Sequence, residues 1–202
     1  MRTASSRTHA QYSAVRPTDL IAVFAPRFDA SGIEWMIAGG VASIVYGEPR
    51  LTQDLDIVAS LAAVDADRLA RQFPEPEFYC APPEVIAEEA GRDAFGHFNV
   101  MHLETGARAD VYLAGTDALA RRGLAARRTI QLLGRTVPIS APEDVILQKL
   151  RFRQKGASDR HLRDVRAMLR VLGDSLDRTA LARDAAALGL TAEWAEMEAG
   201  RD

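Results

Sequence analysis

The 202-residue sequence is short of several things, and each shortage closes off a class of function. It has one cysteine, Cys80, so no disulfide can form within the chain and no cysteine cluster can hold a metal. No apolar run approaches the length of a membrane span. The basic N-terminal stretch has no apolar centre of the kind that marks a secretory signal. The chain is therefore expected in the cytoplasm, with no membrane partner and with residues 1–14 as a disordered tail. Its four histidines, His9, His97, His102 and His161, show no zinc-ligand spacing. There is neither a Gly-x-Ser-x-Gly elbow nor a P-loop, which disfavours hydrolase and P-loop kinase chemistry. Internal repeats and low-complexity tracts are absent as well.

What is present is enough apolar residue, 48%, to build a core. The length allows one good-sized domain, or a core with an appendage. Apolar periodicity predicts a helix over 19–28, a short strand over 35–38, a Gly39-Gly40 turn, a helix over 41–46 and a strand over 55–58. Further on it predicts helices over 65–72 and 83–90, a proline-rich loop around Phe78-Tyr79-Cys80, and a hairpin of 98–103 with 108–113. A helix over 117–124 and a second hairpin, 129–133 with 136–139, complete this part. From Ala141 onward only helices are expected. The fold class is α/β (α+β): a mixed-sheet core over 15–140 followed by a C-terminal helical unit over 141–202.

Net charge is only −3, but its distribution is uneven. Residues 1–120 hold 9 Lys and Arg against 17 Asp and Glu, whereas residues 121–170 hold 13 against 4. An acidic half followed by a basic segment suits a metal site facing a phosphate-binding surface; two solvated faces of an ordinary protein would look the same. Arg121, Arg122, Arg127, Arg128, Arg151, Arg153, Lys155, Arg160, Arg163 and Arg166 are candidates to track a nucleic-acid backbone. Few aromatics interleave with them, so a stacking surface for single strands is not evident.

Chemistry concentrates in residues 37–58. In an extended strand residues i and i+2 share a face, so Asp54 and Asp56 point one way while Leu55 and Ile57 point the other. Two carboxylates that close repel unless a cation lies between them, and hard divalent cations with oxygen ligands suit the pair. Asp110, in a strand-like run beside Val111 and Leu113, is a candidate third carboxylate; it reads equally as a strand-edge charge paired with Arg108. Gly39-Gly40 sits where a strand hands over to a helix, a place where backbone N–H groups can meet phosphate, although such a pair is often only a turn.

Taken together, Gly39-Gly40, Tyr46-Gly47, Arg50-x-Thr52 and Asp54-x-Asp56 resemble the minimal nucleotidyltransferase signature of the polymerase-beta-like superfamily. The string is similar in particular to that of AbiE-type toxins of type IV toxin–antitoxin systems and their tRNA-modifying relatives. The resemblance spans about residues 35–172. It implies Mg²⁺ (or Mn²⁺) held by Asp54, Asp56 and Asp110, with Gly39, Gly40, Arg50, Thr52 and Lys149 at a nucleoside triphosphate. It further implies an RNA acceptor such as tRNA, and a cognate antitoxin as partner. Those relatives also carry a lysine on one helix and an aspartate on the next, which Lys149 and Asp164 resemble. Lys149 lies seven residues before Gly156 and Asp164 eight after it, so an antiparallel helix pair turning there sets them at similar heights. An ordinary interhelical salt bridge gives the same spacing. Arg50 supports the triphosphate, or Thr52 and the aspartate strand, or is a surface arginine.

Overall fold

Strand β2 (Asp54–Ser60) carries the alternation on which the sheet is built. Leu55, Ile57 and Ala59 are fully buried, while Asp54, Asp56 and Val58 face the opposite side. The computed structural model describes residues 17–156 and 158–199; the tail expected over 1–14 lies outside the described residues. β2 runs antiparallel to β1 (Glu34–Ile37) on one side and parallel to β5 (Arg108–Leu113) on the other. β4 (His97–His102) and β3 (Phe78–Cys80) extend the sheet beyond β5. On the far side β7 (Arg135–Ile139) pairs parallel with β1, and β6 (Arg128–Leu132) closes the order 3-4-5-2-1-7-6.

The first helix, α1 (Pro17–Ser31), lays Leu20, Ile21, Phe24 and Phe28 against the Leu55–Ile57 face, all of them buried. Short helices α3 (Ala66–Ala70) and α4 (Pro83–Ala90) pack beside it. The opposite face receives α5 (Ala118–Ala125), whose Ala120 and Leu124 meet Met36 and Val58 in a small separate apolar cluster. Helices α6 (Pro142–Gln154) and α7 (Arg160–Leu172) pack on each other and on α2 (Gly39–Tyr46). α8 (Arg178–Ala187) and α9 (Thr191–Ala199) follow, and one continuous core joins Ile57 of β2 to Leu150, Val165, Leu181 and Met197. No helix among the described residues is long and apolar enough to cross a membrane.

Two local expectations are corrected. Residues 78–80 form strand β3 rather than a loop, because Phe78 is an anchor: its ring lies 6.1 Å from Phe24, 5.4 Å from Phe73 and 5.1 Å from His102. Nearby prolines hold the strand to three residues and to the sheet edge, where missing donors are tolerated. Second, Gly39-Gly40 is not a turn preceding the helix but its opening residues. Truncating the β3 anchor, Phe78→Ala, is expected to lower unfolding free energy by about 4 kcal/mol, measured by urea denaturation, since a large buried ring leaves a cavity.

Candidate active site

The parallel register of β2 and β5 sets Asp56 directly opposite Asp110, and Asp54 opposite Arg108. All four side chains therefore meet on the sheet face turned away from α1. β5 is an interior strand, so Asp110 is no strand-edge charge. It does pair with Arg108, and the pairing is shared: the Arg108 guanidinium lies 3.1 Å from Asp110 and 2.9 Å from Asp54. Burial pushes the Asp110 carboxyl above the usual carboxylate range, opposed by Arg108 and reinforced by Asp54 and Asp56. Asp56 is raised too, first by burial; a backbone N–H and Lys149 act against the rise.

That backbone donor is Gly40, whose N–H donates to Asp56 Oδ2 at 2.7 Å. The contact exists because Gly39 holds φ +49°, a left-handed geometry that places its α-carbon against Asp56; any Cβ there would run into the carboxylate. Thr52, buried beneath Gly40, donates through its hydroxyl to the Asp54 carbonyl at 3.3 Å. The glycine pair and Thr52 thus fix the aspartate strand.

Lys149 of α6 and Asp164 of α7 do meet across the helix pair, at 2.6 Å, and both are buried. Arg50 joins them. Its Nε and Nη2 donate to the two Asp164 oxygens at 2.9 and 2.8 Å, a bidentate pair. Burial would raise the Asp164 carboxyl, but hydrogen bonds from Arg50 and Lys149 outweigh it and hold the group below the usual carboxylate range. One carboxylate therefore serves two cations, leaving net positive charge beside Asp56.

These groups open onto one cleft of about 460 Å³. Gly39, Gly40, Arg50, Thr52, Asp54, Asp56, Lys149 and Asp164 all line it, while Asp110 stands beside Asp56 and Asp54 as their neighbour across the strands. Its floor is apolar, with Met36, Val58 and Ala120, and Tyr112 lines it as a hydroxyl pushed up to about 12, first by burial and then by Asp56. Residue types alone did not single out Arg108 as a bridge, or Tyr112, Phe95, Gln148 and Phe152 as cleft residues, because their meeting depends on the register and on the loop before β4. The basic segment is largely committed. Arg122 pairs with Asp144 and Asp184, Arg151 with Asp117, Arg128 with Glu143 and Arg127 with Glu34.

The donor set suits a hard cation: three neighbouring carboxylates, two of them desolvated, with oxygen ligands alone. Among the described residues no three His, Cys, Asp or Glu side chains form a metal-holding group by themselves. Mg²⁺ does not require one, since it is commonly bound by one or two carboxylates together with substrate phosphates.

No protein-family model and no curated protein matches this sequence. Solved structures do. An antigenic nucleotidyltransferase-like protein from Paracoccidioides brasiliensis superposes over 88% of this chain and 91% of its own, at 19% identity and a TM-score of 0.52. The antibiotic-resistance factor ANT(2'')-Ia, in complex with adenylyl-2''-tobramycin, covers 90% of this chain and 97% of its own at 14% identity, with a TM-score of 0.55. Its solution structure superposes at 0.53, over 85% of this chain and 94% of its own, at 16% identity. The chain has the nucleotidyltransferase fold. Within that fold, the likeness bears out the mixed α/β sheet architecture expected from the sequence.

Two expectations follow from this geometry. Arg108→Ala should tighten Mn²⁺ binding by roughly fivefold, read by electron paramagnetic resonance of free Mn²⁺, since the guanidinium competes for Asp54 and Asp110 and a partly exposed ion pair is worth under ~1 kcal/mol. Asp164→Asn should cost about 3 kcal/mol at neutral pH by leaving Lys149 and Arg50 without their carboxylate. Because the folded-state pKa of Asp164 lies below its unfolded value, its contribution is complete above the ordinary carboxylate range and is lost as pH falls through the lowered value. The Tm gap between wild type and Asp164→Asn should accordingly narrow below about pH 4.

Proposed function

We propose that this protein is a metal-dependent nucleotidyltransferase that moves an NMP unit from an NTP to an acceptor hydroxyl. The observation that carries this reading is that Asp54 and Asp56 share a cleft with Gly40 and Lys149, while Asp110 stands in register beside Asp56. Asp54, Asp56 and Asp110 would hold Mg²⁺ or Mn²⁺. The ion would supply charge neutralisation at the triphosphate and polarise its phosphoryl oxygens.

The chain's own groups do the positioning. Lys149, a compact cation on a buried stem, binds the triphosphate, and Arg50 supports it through the Asp164 carboxylate that both share. Asp164 keeps both cations oriented before substrate arrives. Gly39 and Gly40 bring the start of α2 close to the phosphates while Gly40 fixes Asp56. The acceptor oxygen bonds to the α-phosphorus as the bridging bond to the β-phosphate breaks. Pyrophosphate leaves with that electron pair, and the hydroxyl proton goes to solvent. Catalysis of this kind rests on placement and electrostatics, so no histidine base is required.

RNA, with tRNA as the leading candidate, is the proposed acceptor, in a toxin-like role opposed by a cognate antitoxin. Support comes from the Arg50-x-Thr52-x-Asp54-x-Asp56 string and from Lys155, Arg160 and Arg163, which make no ion pair among the described residues. A second reading, transfer to a small-molecule hydroxyl, is favoured by the likeness to ANT(2'')-Ia. A third, a binding-only member of the fold, fits poorly with crowding three carboxylates of which Asp56 and Asp110 are desolvated.

The deciding experiment supplies each radiolabelled NTP with Mg²⁺ and, in separate reactions, total RNA, total protein or tobramycin. Label entering tRNA, and falling at least about a thousandfold in Asp56→Ala, is the expected outcome. Label on tobramycin alone would select the second reading. Salt-sensitive RNA binding with no transfer to any acceptor would sink the enzyme assignment.

A further inference from the structure

The cleft runs on past Lys149 to an end that the transfer chemistry does not use, and its character changes there from ionic to aromatic. Gln148 and Phe152 of α6 and Lys155 at its C-terminal cap recur at i, i+4 and i+7, and all three line the cleft. Phe152 is 40% exposed and continues a row of rings: it lies 6.4 Å from Tyr112 and stacks on His161 at 5.8 Å with planes 20° apart. Gln148 makes no side-chain hydrogen bond among the described residues. It is a free amide in a cleft whose other polar groups are mostly paired.

Opposite these residues stands Phe95, 61% exposed, on the loop between α4 and β4. A large aromatic left in water is unusual, and this one is held there by backbone geometry. Phe95 has φ +61°, a left-handed conformation that bulky residues rarely adopt. The loop is bolted on both sides: the Thr116 N–H donates to the Asp93 carbonyl at 2.9 Å, and the Leu113 N–H to the Gly96 carbonyl at 2.8 Å. The Lys155 ammonium lies 3.5 Å from the centre of the Phe95 ring, and the Arg151 guanidinium 5.6 Å from it. The ring therefore reaches across to α6 at the mouth of the cleft.

We infer that this aromatic end is a nucleobase subsite, and that it takes the base of the incoming nucleoside triphosphate. Phe95 stacks on the base, Phe152 and Tyr112 form its wall, and Gln148 reads its hydrogen-bonding edge. An amide presents a donor and an acceptor side by side, the pattern that matches a base edge. Lys155 caps α6 six residues after Lys149, about 9 Å along the helix axis, so a ligand anchored by phosphate at the first reaches the second through its sugar and base. The cationic rim of Lys155 and Arg160 suits a polyphosphate ligand and repels a polycation. This inference rests on the nucleotidyltransferase reading of Asp56 and Lys149 and adds to it the place where nucleotide identity is sensed.

Calorimetric titration of each NTP, of inorganic triphosphate and of a short single-stranded RNA, with Mg²⁺ present, tests it on wild type, Phe95→Ala, Phe95→Tyr and Gln148→Ala. Phe95→Ala should weaken NTP binding about tenfold while leaving triphosphate unchanged, the scale of one lost base–aromatic stack. Phe95→Tyr should restore it, and Gln148→Ala should compress the differences among the four NTPs. Because the Phe95 ring is exposed, its removal leaves the core intact. Equal weakening of NTP and triphosphate, or none of either, overturns the subsite. Unchanged NTP binding with a weaker grip on a short single-stranded RNA would instead give the rings to the acceptor and overturn the assignment to the incoming nucleotide. A wild-type protein that binds triphosphate but no NTP also removes the subsite, whereas one that binds neither removes the transferase reading itself.

Discussion

Two desolvated carboxylates set side by side on parallel strands are the constraint around which the rest of this structure is arranged. Asp56 and Asp110 owe their proximity to the β2–β5 register, and that register is fixed by what lies behind it: Leu55, Ile57, Ala109 and Val111, all fully buried. A slip of one residue would turn the aspartates into the core and the aliphatic side chains into the cleft. The same hydrophobic packing that stabilises the sheet therefore also enforces an electrostatic conflict on its opposite face. Neighbouring groups answer that conflict one by one: the Gly40 N–H at Asp56, Arg108 between Asp54 and Asp110, and Lys149 from the middle of α6.

The second centre of charge is arranged differently. Asp164 holds Lys149 and Arg50 at once, so three ionised groups share a partly buried volume with one carboxylate as their common partner. Such an arrangement is stiff. Arg50 comes from the segment before β2, Lys149 from α6 and Asp164 from α7, so the triad ties the aspartate strand to the helical pair. The positive excess it leaves faces the negative excess of the strands across the cleft. A ligand carrying both phosphate and a hard cation can satisfy the two excesses together.

Much of this was legible in the sequence, and the reasons for success and failure are physical. Strand alternation put Asp54 and Asp56 on one side, and helix rise put Lys149 level with Asp164; both follow from local periodicity, which a sequence states directly. The hairpins around Gly106 and Gly134 were visible for the same reason. β3 was not, because three residues between prolines carry no period, and Phe78 belongs there through packing on Phe24 and Phe73, far away in the chain. Arg50 reaches across 114 positions to Asp164, a pairing that no spacing rule contains. The aromatic end of the cleft escaped notice because Phe95, Tyr112 and Phe152 come from a loop, a strand and a helix, and no stretch of sequence shows them interleaved with the basic residues.

Arg108 adds a consequence of a different kind. It precedes Asp110 by two residues on one strand, so the same extended geometry that presents the carboxylate also presents its counter-ion. The neutralising charge is thus built into the chain and arrives with β5 as the sheet assembles, with no dissolved ion needed at that moment. On the proposed function, reaching the native state and binding a metal would be separate events, in contrast to small metallodomains whose apo forms are unfolded.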